Sequence, residues 1–137
     1  MTHQAWLNDE SEEYRLMLLK KHTRAIIHIN KPTFNEIKTV VDVDVDCLKP
    51  GTEMDEPSQL YLISRYPDML YLIKDPVPEA IDIAIEKHPY SITQVDHFTE
   101  EQLIRAISLQ PSVIDGFVGE RRKKIESYIE TYATLMK

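Results

Sequence analysis

Residues 78–95 read PEAIDIAIEKHPYSITQV, and residues 100–118 read EEQLIRAISLQPSVIDGFV. When Pro78 is aligned with Glu100, apolar residues coincide at the seventh, eighth, fifteenth and eighteenth positions. The alignment extends without gaps to units of 22 residues that begin at Glu12, Phe34 and Glu56. Of the 20 residues at these positions, 19 are apolar and Gly51 is the exception, whereas a composition that is 42% hydrophobic predicts roughly 8. The chain is therefore predicted to be built from five repeated units.

Within a unit, the apolar positions four or five, seven and eight mark one face of a helix. The last three units have proline at position twelve, which is tolerated in the first turn of a helix because that turn leaves N–H groups without partners. The pattern therefore predicts a second, short helix in each unit, and it is clearest over residues 67–73, 89–95 and 111–117. Each unit is expected to be a helical hairpin of roughly ten plus seven residues.

Capping residues support the predicted helix starts. Thr33 with Glu36 and Thr99 with Gln102 fit the capping box, in which each side chain satisfies a free backbone donor. Ser11 and Asp55 are expected to cap the first and third units, and Pro78 is expected at the first helical position. Position ten carries Lys21, Arg65 and Lys87, whose positive charges oppose the helix dipole at the C-terminus.

The chain is expected to form one all-α domain, an α-solenoid of five repeats. Residues 1–11 form the N-terminal cap, residues 12–121 the repeats and residues 122–137 a capping helix. The second unit is irregular, because residues 40–46 alternate valine with aspartate and Pro50-Gly51 replaces the apolar position eighteen. A longer first helix or an extended segment is expected there, followed by a loop through Pro57. A leucine-rich repeat has a similar period, but its recurrent asparagine is missing.

Composition predicts a protein of the cytoplasm. Residues 1–10 lack the features of a secretory signal, no apolar run approaches the roughly 18 residues of a membrane span, and the single cysteine excludes an internal disulfide. The net charge is −7, and residues 36–56 hold seven acids against Lys38 and Lys49. This balance argues against direct binding of nucleic acid, which needs a basic surface, and favours a basic protein partner.

The pattern Glu-x-x-Ile-x-x-Ala-Ile-x-x-x-Pro-x-x-Ile-x-x-Val of the fourth and fifth units resembles a known family. It is similar to the short, degenerate α-helical repeats of 22 to 24 residues found in proteins of bacteriophages and large DNA viruses, most of unknown function. The resemblance covers residues 12–137 and is strongest over residues 56–121. It implies an α-solenoid and a viral protein in the host cytoplasm, and it supplies no catalytic motif.

The acids of the second unit are the first candidate site. Asp42, Asp44 and Asp46 have the spacing that opens a calcium loop, but the glycine required at the loop's sixth position is missing. No metal or other cofactor is therefore expected. A solvated acidic face is the simplest interpretation, and the alternative is a docking surface for a basic partner. The candidate acids are Asp42, Asp44, Asp46, Glu53, Asp55 and Glu56.

Aromatic and basic residues form the second set of candidates. Tyr61, Tyr71 and Arg65 are of the types favoured in the centres of protein interfaces, with Tyr90 a further exposed tyrosine. The alternative is that the tyrosines partly cover the core. The basic run at residues 121–124 is expected to be a solvated helix start, or to meet the acidic second unit of another copy in a self-associated form.

No combination of residues indicates catalysis. Cys47 has apolar predicted neighbours and lacks an adjacent base. His22 and His88 both occupy position eleven, three units apart, and are expected to lie at helix ends. We therefore expect a non-enzymatic protein-interaction module. With the viral resemblance, it would bind and inhibit a host protein through an acidic patch that imitates nucleic acid. A virion structural or assembly component, and an enzyme with an unrecognised site, are the alternatives.

Overall fold

The structure, a computed structural model, describes residues 5–135 and the side chains of residues 6–131. The predicted cap over residues 1–11 and the predicted helix over residues 122–137 therefore extend beyond the described residues at each end. The described part of the chain is all-helical, and its one β feature is an isolated parallel bridge between Thr52 and Ile73. None of the described helices is both long and apolar enough to cross a membrane.

The α-helices begin at the predicted interval. The first five start at residues 12, 34, 56, 78 and 100, each 22 residues after the last. The sixth begins at residue 119, three residues before the predicted capping helix. The six are α1 (Glu12–Lys21), α2 (Phe34–Asp44), α3 (Glu56–Arg65), α4 (Pro78–Lys87), α5 (Glu100–Leu109) and α6 (Gly119–Leu135).

In the described part of the chain, a 3₁₀ helix precedes α1 and another follows each of the first five α-helices. They are η1 (Ala5–Asp9), η2 (Thr23–His28), η3 (Val45–Cys47), η4 (Leu70–Leu72), η5 (Pro89–Gln94) and η6 (Pro111–Gly116). From α1 to α5, each α-helix packs against the next in the chain. Most consecutive 3₁₀ helices also contact one another, as in η1 with η2 and η5 with η6. Each unit is thus covered mainly by the units before and after it.

The predicted caps are confirmed. The hydroxyls of Thr33 and Thr99 accept hydrogen bonds from the backbone N–H groups of Glu36 and Gln102, and both capping boxes are complete. Ser11 and Asp55 cap α1 and α3, and Pro78 occupies the first turn of α4. These starts form as predicted because a cap depends only on residues three apart in sequence.

Position eleven turns the chain from each α-helix into the 3₁₀ helix. His22, Tyr66, His88 and Gln110 have ψ angles between 70° and 95°, and each backbone N–H still donates to a carbonyl of the preceding helix. The segments that follow were predicted to be short helices, and the structure shows them to be 3₁₀ helices. Over residues 67–73 the helix shortens to Leu70–Leu72. A segment of three to six residues is too short for sustained i→i+4 bonding, so the tighter turn forms.

The second unit departs from the others as predicted, but the loop ends earlier. Its α-helix is one residue longer than those of the other four units, and the loop after η3 passes through Gly51, whose φ is +78°. Pro57 lies in the first turn of α3 instead of in the loop. The loop is tied to the third unit, because Thr52 N–H donates to Leu72 O (2.9 Å) and Lys74 N–H donates to Thr52 O (3.0 Å).

The repeated apolar positions form the core. Sixteen of the 20 residues at positions seven, eight, fifteen and eighteen are buried, Gly51 is exposed and three are half-buried. The half-buried residues are Leu18 in the first unit and Ile107 and Ile114 in the fifth. The core is therefore continuous through the middle units and thins at both ends, where a unit has only one neighbour.

Candidate partner-binding surface

The six candidate carboxylates are all exposed. They lie on consecutive elements, from the end of α2 through η3 and the following loop to the start of α3. Asp42 and Asp44 end α2, Asp46 lies in η3, Glu53 in the loop, and Asp55 and Glu56 at the start of α3. The structure places Asp42 beside the C-terminal half of α3, where it meets Tyr61 and Arg65, and it places Asp55 and Glu56 at the N-terminal start of α3. We call the six acids together the acidic segment.

Asp42 lies at the centre of a side-chain cluster between α2 and α3. The Tyr61 hydroxyl donates to Asp42 Oδ1 (2.5 Å), and Lys38 Nζ donates to Asp42 Oδ2 (3.1 Å). Arg65 Nε is 3.8 Å from the same carboxylate, and the Arg65 guanidinium lies 4.7 Å from the centre of the Tyr61 ring. Phe34 meets that ring edge to face. Three of the predicted site residues, Asp42, Tyr61 and Arg65, are thus brought together.

Charge and hydrogen bonding shift the pKa values of two side chains in this cluster. The Tyr61 hydrogen bond, with help from Lys38 and Arg65, lowers the pKa of Asp42 below its ordinary value of 3.8. The hydrogen bond and charge of Asp42 in turn raise the pKa of Lys38. Both side chains stay ionised near neutral pH, so Asp42 offers a carboxylate that is already partly neutralised by its own chain.

The remaining acids have separate roles. Asp44 accepts from Asp46 N–H (3.1 Å), and Asp55 accepts from Ser58 N–H at the start of α3 (2.9 Å). Glu53 pairs with Lys74 (3.4 Å). Among the described residues, Asp46 and Glu56 form no salt bridge. The acidic segment therefore combines carboxylates that stabilise the fold with carboxylates available to a partner.

Tyr71 and Tyr90 lie on the 3₁₀ helices that follow α3 and α4. Tyr71 is exposed on η4, where its backbone N–H donates to the Gln94 side chain (3.2 Å). Tyr90 is half-buried, and its hydroxyl lies 2.9 Å from the carbonyl oxygen and 2.8 Å from Oγ of Ser112 in the next unit. The structure brings Tyr61 and Arg65 into contact, and one surface that also includes Tyr71 stays a prediction.

The Cys47 thiol is weakly reactive in this environment. It is half-buried, and burial together with the nearby charge of Asp44 raises the pKa of its thiol. Because the thiolate is the reactive form, the side chain is a weak nucleophile near neutral pH. Within the described residues, no group of three or more His, Cys, Asp or Glu side chains could hold a metal ion.

Two residues of the basic run of α6, Arg121 and Arg122, bind other residues of the chain. The Arg121 guanidinium donates to Val95 O and lies over the rings of Phe98 (5.3 Å) and Phe117 (5.0 Å). Arg122 pairs with Glu126 and Asp115. The prediction of a solvated helix start therefore holds for Lys123 and Lys124, which are exposed, but not for Arg121.

Sequence reasoning missed the buried ion pair between the first two units. Arg15 Nε lies 2.6 Å from Glu36 Oε2, and the Glu36 side chain is fully buried. The capping-box pattern identified Glu36 and the role of its first carboxylate oxygen. The second oxygen accepts from Arg15, which lies 21 residues earlier in the sequence. Gln102 makes a comparable contact, donating to Pro78 O and Asp82 Oδ1 in the preceding unit. The sequence signal for both contacts was a polar residue at position three of the unit, which faces the α-helix of the preceding unit.

An open groove runs between α1 and α2 beside the Asp42 cluster. It has a volume of about 550 Å³, and its lining includes Lys20, Lys38, Asp42, Leu16 and the exposed Val43. Charged and apolar side chains thus lie close together next to the acidic segment. Such a combination suits a protein partner better than a small ligand, which is usually enclosed by a deeper pocket.

Comparison of the chain with protein-family models, with curated proteins and with solved structures found no match.

Proposed function

We propose that the chain is an α-solenoid that acts as a non-catalytic protein-interaction module. The solenoid interpretation is supported by contacts that recur at equivalent positions. The carboxylates of Asp42 and Glu86, both at position nine, bind the position-six side chains of the next unit, Tyr61 and Arg105. Stacks of this kind present long, continuous surfaces, which in other solenoid proteins bind protein partners.

The partner is a protein with a basic surface, and it binds the acidic segment. The observation that carries this proposal is that all six carboxylates between Asp42 and Glu56 are exposed and lie on two adjacent units. Tyr61 and Arg65 adjoin them, held in place by Asp42 and Phe34. The Tyr61 ring offers a rigid contact, and Asp46 and Glu56, which form no salt bridge among the described residues, offer electrostatic attraction.

The most specific form of the proposal is that the acidic segment imitates a nucleic-acid backbone. The partner is then a nucleic-acid-binding protein whose basic groove is blocked, and, following the viral resemblance, a protein of the host. Charge attraction of this kind weakens as salt rises, because added ions screen exposed charges. Competition between the chain and nucleic acid for one groove is its distinguishing consequence.

A charge-neutralised variant tests the proposal. The triple variant Asp46→Asn, Asp55→Asn, Glu56→Gln removes three charges, while asparagine at position 55 preserves the cap of α3. The control variant Glu79→Gln, Glu100→Gln, Glu101→Gln removes three exposed charges from α4 and α5. Each protein is immobilised, and the proteins that it retains from a cell lysate are quantified by mass spectrometry.

We expect a stoichiometric protein that the native chain and the control variant retain and that the triple variant loses. The same protein should be released by raised salt and by added nucleic acid. Equal retention by both variants would show that the acidic segment is not the binding surface. Release by salt without competition from nucleic acid would remove the imitation of nucleic acid and leave the interaction module.

A further inference from the structure

Helix α1 exposes the face that the following helices turn toward the preceding unit. In later units, positions two, three, six and ten make contacts with the unit before. Asn35 at position two donates to Glu12, and Glu36 at position three binds Arg15. Arg105 at position six binds Glu86, and Lys87 at position ten donates to Ser64 O. These four positions therefore define the surface through which one unit joins the last.

In the first unit, the same positions hold Glu13, Tyr14, Met17 and Lys21, and all four are exposed. Position three is fully buried in the second, third and fourth units, whereas Tyr14 is 40% exposed. Met17 is 61% exposed, the highest value among the large apolar side chains described in the α-helices. Among the described residues, Trp6 of η1 approaches this surface at Tyr14. We call the surface the α1 face, and its four positions are those that join one unit to the last in the later units.

The α1 face is complementary in charge to itself. Glu13 lies at its N-terminal end, Lys21 at its C-terminal end, and Tyr14 and Met17 lie between them. If two α1 helices pack antiparallel with Met17 opposite Met17, residues whose numbers sum to 34 face each other. Glu13 of each copy then lies opposite Lys21 of the other copy. This gives one charge pair on either side of an apolar centre. A two-fold axis produces such an isologous contact, and two-fold dimers are the commonest homo-oligomers.

We propose that the α1 face is the contact surface of a symmetric homodimer, in which the α1 helices of two copies pack antiparallel around Met17. The two Glu13–Lys21 pairs set the antiparallel direction, because a parallel pairing would place like charges together. The dimer contact is separate from the acidic segment, so one molecule can bind a second copy and a partner protein at the same time. It also gives the dimer two acidic segments, which increases its avidity for a partner with repeated basic sites.

Sedimentation of the native chain and two full-length variants over a wide concentration range tests the dimer. The native chain should approach twice its mass of 16.0 kDa and then stop increasing. Met17→Glu places two carboxylates at the axis and should produce a monomer. Val118→Glu is the matched control, since Val118 is exposed but distant in sequence from α1, and it should leave the dimer intact.

Charge exchange tests the direction of packing. Glu13→Lys and Lys21→Glu should each weaken the dimer by about tenfold, because each places like charges opposite one another. The double variant carries both changes and should recover the native dissociation constant. The only tryptophan, Trp6, lies 6.0 Å from the Tyr14 ring, so its fluorescence should change on dimerisation and report the same constants. Circular dichroism checks that each variant keeps its helical content.

The other outcomes would overturn the proposal. A native chain that stays monomeric at high concentration would show that the α1 face does not bind a second copy. A mass that continues to rise beyond the dimer would indicate head-to-tail growth instead of a closed pair. If the double variant did not recover affinity, the antiparallel arrangement would be wrong.

Discussion

At the residue scale, Glu36 joins two kinds of interaction in one side chain. One carboxylate oxygen accepts from Thr33 N–H and closes the capping box of α2, and the other receives Arg15 from α1. Both are made at a fully buried position. A buried charge is costly unless it is paired and hydrogen-bonded, so the stability of this joint depends on both partners.

Removing Arg15 should therefore cost more than neutralising Glu36. We expect Arg15→Met to lower the free energy of unfolding by about 3–5 kcal/mol, because it leaves an unpaired buried carboxylate. Glu36→Gln should cost about 1 kcal/mol, because glutamine retains the capping box, as Gln102 does in α5. The double variant should be more stable than Arg15→Met alone. Urea unfolding measures all three, and a double variant less stable than Arg15→Met would contradict the buried-charge explanation.

The hydroxyl of Tyr61 controls the titration of Asp42. Because its hydrogen bond is the largest cause of the lowered pKa, Tyr61→Phe should move the pKa of Asp42 back toward 3.8. A lowered carboxyl pKa stabilises the fold above the unfolded value and loses that effect as the pH falls through the folded value. The stability difference between the native chain and Tyr61→Phe should therefore shrink below about pH 3.8.

Nuclear magnetic resonance titration of the side-chain carboxyl carbons measures this shift directly. The control is Arg105→Gln, which should raise the pKa of Glu86, whose lowering is due chiefly to the Arg105 hydrogen bonds. Each substitution should leave the other carboxylate unchanged. A Tyr61→Phe variant with the native pKa at Asp42 would show that Lys38 and Arg65 suffice.

At the element scale, η5 and η6 pack so closely that a larger side chain does not fit between them at Gly116. A β-carbon added at Gly116 would lie 2.7 Å from Thr93 Cγ2, closer than atoms in normal contact. Thr93 cannot turn away freely, because its side chain is branched at the β-carbon and its hydroxyl donates to Tyr90 O (2.7 Å). Close packing of the 3₁₀ helices thus accounts for a glycine at this position without any need for unusual backbone angles.

Gly116→Ala should lower the free energy of unfolding by about 1–3 kcal/mol, the usual cost of overpacking. Thr93→Ser removes the obstructing methyl group and keeps the hydroxyl, so it should relieve much of that cost when the two changes are combined. A double-mutant cycle from urea unfolding gives the coupling between them. Strictly additive effects would show that the methyl contact is not the cause.

At the scale of the whole molecule, packing follows chain order, and each unit is covered mainly by its neighbours. The five first helices begin 22 residues apart, and side-chain contacts recur between equivalent positions. If the chain is a solenoid, its stability is close to a sum of units and their interfaces. Removing one complete unit should then leave a foldable chain.

The variant that lacks residues 77–98 tests this expectation. The deletion removes 22 residues, places Thr99 after Pro76 and keeps the capping box of α5. It should give a helical protein that unfolds cooperatively, with a denaturant dependence reduced roughly in proportion to its length. Deletion of residues 88–98 removes half a period and should abolish folding. Circular dichroism and urea unfolding distinguish the two, and an unfolded 77–98 deletion would argue against independent repeats.

The sequence by itself determined the starts of the first five α-helices, the caps and the core positions of this protein. Thr33 and Thr99 act through residues three apart, and the 22-residue spacing of apolar positions requires no knowledge of how units are arranged. Only the tertiary structure decided the form of the second segments and the partners of the candidate residues. Asp42 meets Tyr61 and Glu36 meets Arg15 across 19 and 21 residues, so each contact depends on how adjacent units are rotated and displaced. That relation is set by the packing of the whole core, and no local pattern contains it.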